Sequence, residues 1–296
     1  MTYKSMNISN FKINYQVNKL ESSYLNACRL DVESIKPGNE NTLSGHHDTA
    51  CDDFITSYKV TSKIITSPNL DLGDKILNCI KSTKEEVHKN TNLGIILLCS
   101  LFSNSLALSK DNLVKDAIKE CVLTSSCDDV FKICNAISLA KPGGLNVQDK
   151  YDVDSKPDIS LYNIMKISSS YDMISKQYAC FFDDIFEFIL PTLIMSIDRI
   201  KDIKLSISYT FLKTLEKYPD SHICRKYDDK FAKKTSNEAS DLIKILDGDA
   251  RLESWGKKLM SLDNHYKMAR VNPGTTADLL VASMMIYDYF IGIPKK

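Results

Sequence analysis

The feature that most limits the fold is the stretch 93–102, Leu-Gly-Ile-Ile-Leu-Leu-Cys-Ser-Leu-Phe. It is about half the ~20 residues needed to cross a bilayer, and Asn92 and Asn104 lie close to its ends. It therefore predicts a helix buried inside a protein core, which the rest of the chain must cover. The rest has the matching period. Val17, Leu20, Tyr24, Leu25, Cys28 and Val32, and again Leu72, Ile76, Leu77, Ile80 and Val87, recur at the spacing of one helix face. Further amphipathic helices are predicted over 111–122, 127–140, 203–215, 230–246 and 249–262, and no run alternates as a strand would. The expectation is an all-α protein, a single-domain multi-helix bundle of about ten or more helices over 16–296, after a flexible lead-in at 1–15.

Composition narrows the partners. The 296 residues are enough for a sizeable core, and the formal net charge of +0 gives no reason to expect nucleic acid or an anionic membrane as a partner. Residues 1–18 lack the continuous apolar centre of a signal peptide. Nine cysteines are scattered singly with no C-x-x-C pair. Reduced thiols in a cytoplasmic protein, most of them small core residues, are the expectation. Five histidines, including the adjacent His46 and His47, form no zinc pattern.

Polar breaks between the helices carry the chemistry. Lys36-Pro37-Gly38-Asn39 opens a loop that runs to Asp48, and Glu33, Lys36, Asn39, His46 and Asp48 on it are able to bind phosphate or a hard metal ion; a solvated connection is the other reading. Asn90-Thr91-Asn92 either cap the apolar helix or wall a polar pocket. The loop after Lys141-Pro142-Gly143-Gly144 carries Asp149, Asp152, Asp154 and Asp158 outside any EF-hand register, and reads as solvated. Over 172–189 a strongly apolar helix is predicted, on which Gln177, Asp184 and Glu187 share a face. Carboxylates there need a cation, a magnesium ion with all-oxygen ligation, or exposure as an acidic edge. His222, Arg225 and Lys226 follow Tyr218-Pro219-Asp220 in a short helical turn; Arg225 and Lys226 suit an anion or surface ion pairs. Finally, Asn272-Pro273-Gly274 is turn chemistry, and Thr275 with Asp278 reads as a capping-box-like helix start. Such a start presents unpaired N–H groups to an anion, unless it is only an ordinary capped helix.

In their order these stretches, with Gly45-His46-His47-Asp48-Thr49, Gln177-Tyr178-Ala179 and Asp183-Asp184-Ile185-Phe186-Glu187, resemble the triphosphoribosyl-dephospho-CoA synthase family. The match runs from about residue 21 to the end. Where citrate-lyase-type members have patterns such as Asn-Thr-His-Lys-Gly and Ser-Pro-Gly-Gly-Ser-Ala-Asp, this chain has Asn90-Thr91-Asn92-Leu93-Gly94 and Asn272-Pro273-Gly274-Thr275-Thr276-Ala277-Asp278. It is similar in this to a divergent archaeal and methylotroph-like branch. The resemblance implies an all-helical fold around a central nucleotide pocket. It also implies transfer of the triphosphoribosyl group of ATP, with Mg2+, to a hydroxyl of dephospho-CoA or a related acceptor, releasing adenine. Transfer to another cofactor precursor, such as a methanopterin-type pterin, or nucleotide binding without catalysis, are the alternatives. It assigns Lys36, Arg225, Lys226, Thr275 and Thr276 to phosphate, and Asn39, Asn90, Asn92, Gln177 and Asn272 to the substrate pocket. Asp48, Asp184 and Glu187 become metal ligands, and His46, Asp48, Asp184 and Asp278 the catalytic groups. Residues so far apart share a site only if the loop, the 90–92 turn and the last helix converge.

Overall fold

The apolar run forms a helix, Leu93–Leu108, buried without a break from Gly94 to Leu106. The last helix, Gly274–Phe290, is buried on nearly every face as well. Neither has a solvent face to offer, so both must be surrounded by other helices. The computed structural model describes residues 7–43, 49–89, 91–109, 112–141 and 159–294. Among these the α-helices are α1 Val17–Glu33, α2 Thr49–Ile65, α3 Leu72–Val87, α4 Leu93–Leu108, α5 Val114–Thr124, α6 Cys127–Ala140 and α7 Leu161–Ser168. They continue as α8 Met173–Ala179, α9 Leu190–Ile200, α10 Ile203–Lys217, α11 Ser221–Lys226, α12 Asp229–Asp247, α13 Leu252–Met268 and α14 Gly274–Phe290. The all-α expectation holds: among the described residues the only bridge is the isolated pair Lys12 and Leu113.

Helices α4 and α14 pack on each other; α1, α10 and α11 close over α14, and α3 and α5 over α4. Phe102 of α4 meets the rings of Tyr289 and Phe290 edge-on, and the Tyr178 hydroxyl of α8 donates to the Leu97 carbonyl at 2.7 Å. All nine cysteines are free thiols, and Cys28, Cys79, Cys99 and Cys121 are core residues. No helix among the described residues is long and apolar enough to cross a membrane.

Two expectations change. The described part of the lead-in is pinned: Ile8 and Ile13 are buried, the Ile13 N–H donates to the Asn112 carbonyl, and the Tyr289 hydroxyl donates to that of Asn14. Two isoleucines seven residues or fewer from the described end supply the apolar area that a frayed segment lacks. The helix predicted over 172–189 is broken. After α8, Phe181 and Phe182 both take left-handed backbone, with φ of 53° and 65°. The chain then resumes as a π-helix, Ile185–Ile189, leading into α9. Consecutive left-handed phenylalanines are strained, and they are held because Phe182 is fully buried and the Phe181 ring stacks on Tyr162.

Candidate functional site

Asp220 organises the start of α14. One of its oxygens caps α11 through the His222 and Ile223 N–H groups, at 2.9 and 3.1 Å. The other accepts from both the N–H and the hydroxyl of Thr276, each at 2.7 Å. Helix α14 begins at Gly274, with Pro273 at its N-cap and no side-chain cap of its own. The capping box expected of Thr275 and Asp278 therefore does not form, because a carboxylate from another helix takes its place. Burial pushes the Asp220 carboxyl above its ordinary range, and the Thr276 bonds oppose that shift. The Thr275 hydroxyl accepts from Ser221 at 3.1 Å. Both threonines thus face protein partners, and the Thr276 N–H is not an open anion seat.

The 36–41 loop reaches this point from the other side. Lys36 is completely buried and ion-paired to Asp31 at the end of α1, at 2.8 Å. Its ammonium also donates to the Asn39 side chain, and the Asn39 amide donates to Asn272 Oδ1 at 3.0 Å. Asp263 of α13 fixes the backbone of the loop by accepting from the Gly38 N–H at 2.8 Å and from Asn41. A buried ion pair is costly to leave half-made, so loss of Asp31 would strand the Lys36 ammonium. Burial raises the Asp31 carboxyl while Lys36 lowers it.

Between these two arms lies Asp278. A Cβ on Gly94, in the first turn of α4, would stand 2.1 Å from its carboxylate oxygen, so glycine is what lets the two helices meet here. The carboxyl sits deep in the molecule, although Asp278 as a residue keeps some accessible surface. Burial raises it well above the ordinary carboxylate range; Asp31 and Asp220 push it the same way, against Lys36 and Arg225. It makes no hydrogen bond or ion pair among the described residues. Asn92 is 98% buried, since only 2% of it is exposed, and its Nδ2 has no partner. It makes no side-chain cap on α4, so its amide is an unmet donor worth about 1–3 kcal/mol to whatever satisfies it.

Other predicted residues are engaged by protein groups. Gln177 donates to Asp184 Oδ2 at 2.8 Å, the oxygen that also pairs with Lys176 at 2.8 Å. Glu187, 71% exposed, faces Lys115. Gln177 and Asp184 thus meet across the break at Phe181 and Phe182, while Glu187 on the π-helix turns outward to Lys115. Arg225 pairs with Asp172, the N-cap of α8. Lys226 is exposed and donates to the Arg270 carbonyl at 2.9 Å. His46, Asp48 and Asn90 lie outside the described residues, as does the 142–158 loop. Sequence reasoning did not find Asp31, Asp220 or Asp263. Asp31 closes an ordinary amphipathic helix, Asp220 looked like a helix stop, and Asp263 carries no local signal at all.

Carboxylates, amides and cations from several helices thus gather about one buried helix start in an all-helical protein. The profile of the ATP:dephospho-CoA triphosphoribosyl transferase family matches residues 17–291, and the chain belongs to that family. It is a transferase that moves the triphosphoribosyl group of ATP to dephospho-CoA. The fold is also that of a protein provisionally described as triphosphoribosyl-dephospho-CoA synthase from Archaeoglobus fulgidus. The TM-score is 0.61 at 18% identity, covering 82% of this chain and 99% of that one. None of the curated proteins matches the sequence. The pterin acceptor and the non-catalytic alternative are not favoured by the family match.

Proposed function

We propose that the transfer takes place at the start of α14, with the ribose of ATP beside Asp278 and the polar arms of Asp31, Lys36, Asn39, Asn92 and Asn272 around it. The observation that carries this is Asp278 itself, a deep carboxyl on a residue of intermediate exposure with no hydrogen-bond or ion-pair partner among the described residues. Displacement at the anomeric carbon passes through a state with positive charge on the sugar, which needs an acidic group beside it and proton traffic on both sides. In this reading Lys36 and Arg225, the cations that act on Asp278, meet the triphosphate, exchanging one protein oxygen each for a phosphate oxygen. Asn92 offers its unpaired amide to the substrate. Thr275 and Thr276 hold α11 and α14 together and shape the pocket floor. Reduced thiols fit a cytoplasmic setting.

Magnesium enters this reading only with the nucleotide. No group of three or more His, Cys, Asp or Glu side chains among the described residues is placed to hold a metal ion. Asp184 is engaged by Lys176 and Gln177, and Glu187 points outward. Mg2+ commonly keeps several waters and binds through one or two carboxylates together with substrate phosphates, so no step is assigned to a resident ion.

The test is incubation with ATP and Mg2+, with and without dephospho-CoA, reading free adenine. Adenine formed only with the acceptor, together with a triphosphoribosylated product, is the expected result. No adenine in either arm rejects the assignment.

A further inference from the structure

Two ionisable side chains at the start of α14 stand without partners, and each occupies room left by a glycine. The Asp278 carboxyl lies over Gly94. The ring of His222, on α11, lies over Gly274, where a Cβ would come within 2.9 Å of Nδ1. Among the described residues that ring makes no hydrogen bond; only its backbone N–H is engaged, by Asp220. Gly274 and Asp278 are four residues apart on α14. Positions so spaced share one face of a helix, about 5–6 Å apart. Ring and carboxyl are therefore associated with one face of α14 at positions a helical turn apart, and Asn92, whose amide is unpaired among the described residues, stands two residues before Gly94 in sequence.

We propose that His222 is the base that takes the proton of the acceptor hydroxyl, while Asp278 is the acid that protonates the departing adenine. This rests on the reading that transfer occurs at the start of α14. The surroundings divide the roles in that sense. Burial holds His222 toward its neutral form, with Arg225 and Lys226 acting the same way and Asp220 against them. Burial holds Asp278 toward its protonated form, with Asp31 and Asp220 assisting and Lys36 and Arg225 opposing. Neighbouring groups with oppositely biased environments are the pattern of an acid and a base serving one reaction.

The bonds balance. The acceptor oxygen forms its bond to C1′ of the ribose, and its proton passes to the imidazole. The C1′–N9 bond breaks with its electron pair going to adenine, which takes the proton of Asp278. Asp278 becomes an anion as positive charge develops on the sugar, so proton donation and electrostatic stabilisation come from one group. The imidazolium then returns its proton through water to the carboxylate. Activity should therefore fall at acidic pH as His222 protonates, at a value below the ordinary 6.5 of histidine. It should fall again at alkaline pH as Asp278 ionises, giving a bell-shaped profile.

The experiment follows adenine release by the full chain with ATP, Mg2+ and dephospho-CoA across pH, beside ATP affinity and a thermal melt. His222→Asn is expected to melt normally, to bind ATP within about threefold of wild type, and to lose turnover by roughly 10²–10⁴-fold together with the acidic limb. Imidazole should restore part of the rate to His222→Gly, which a structural histidine would not allow. Gly274→Ala, which crowds the ring without removing it, should lower turnover in a folded protein and serves if the histidine variants melt early. Asp278→Asn should remove the alkaline limb along with most of the rate. His222→Asn with an undiminished rate, or with the acidic limb in place, overturns the assignment. No adenine from the wild type overturns the underlying reading instead.

Discussion

Lys75 in α3 has none of its surface exposed, and among the described residues its ammonium finds only the Ser103 hydroxyl, at 3.4 Å. Burial lowers it from the ordinary 10.5 to about 8, against Cys121, Cys79 and Asp71, which raise it. A cation costs free energy in such a place, and an apolar isostere does not. The folded state binds the proton less tightly than the unfolded chain, so stability rises with pH from about 8 to 10.5 and the full penalty applies below 8. Lys75→Met is expected to raise the neutral-pH stability by up to about 3 kcal/mol. It should also flatten the rise in melting temperature between pH 8 and 10.5. Equal melts for variant and wild type across that range would show that the ammonium is solvated in ways its burial conceals. Asp278 is an acidic counterpart at the same scale: a deep group without a hydrogen-bond partner among the described residues, its carboxyl raised by burial as the Lys75 ammonium is lowered.

At the scale of elements, the first turn of α4 and the first turn of α14 meet only because Gly94 has no side chain. Gly94→Ala should displace the Asp278 carboxyl, whose oxygen a Cβ would approach to 2.1 Å. Adenine release should drop sharply while the helix itself gains propensity. Gly256→Ala on α13, where a Cβ meets nothing, is the control, expected to keep full activity and gain up to about 1 kcal/mol of stability. Equal activity of the two variants would separate Asp278 from the chemistry. The α8 to π-helix junction makes a different prediction. Asp184 ties Lys176 and Gln177 together across the strained Phe181–Phe182 turn. Asp184→Asn should therefore cost about 1–3 kcal/mol through the lost charged partner and leave the Mg2+ dependence of adenine release unchanged. A raised Mg2+ requirement in a variant of normal stability would make Asp184 a metal ligand after all.

For the whole molecule, the decisive arrangement is that α14 is the last element and lies at the centre, with α1, α4, α10 and α11 against it. Chain ends far apart in sequence thereby share one site: the Asn39 amide meets Asn272, and Asp220 meets Thr276. Most helices were readable in the sequence, α7 and α9 excepted, because the apolar period of a segment is a local property and α4 announced its burial by having no polar face. The polar breaks marked Lys36, Asn39, Asn92, Asn272 and Asp278, since a loop or helix start with unused donors is also a local signal. What no local pattern contains is the partner of each group. Asp31 under Lys36, Asp220 capping two helices, Asp263 beneath the loop and His222 over Gly274 depend on which helix ends the packing brings together. The same holds for the broken 172–189 segment, where tertiary burial of Phe182 sustains a backbone that local propensity disfavours. The sequence by itself determined an all-helical chain and the polar residues of its breaks, because period and turn chemistry act over a few residues. Only the tertiary structure decided which of those residues are neutralised by a partner and which stand free to react, because burial and pairing act across the whole core.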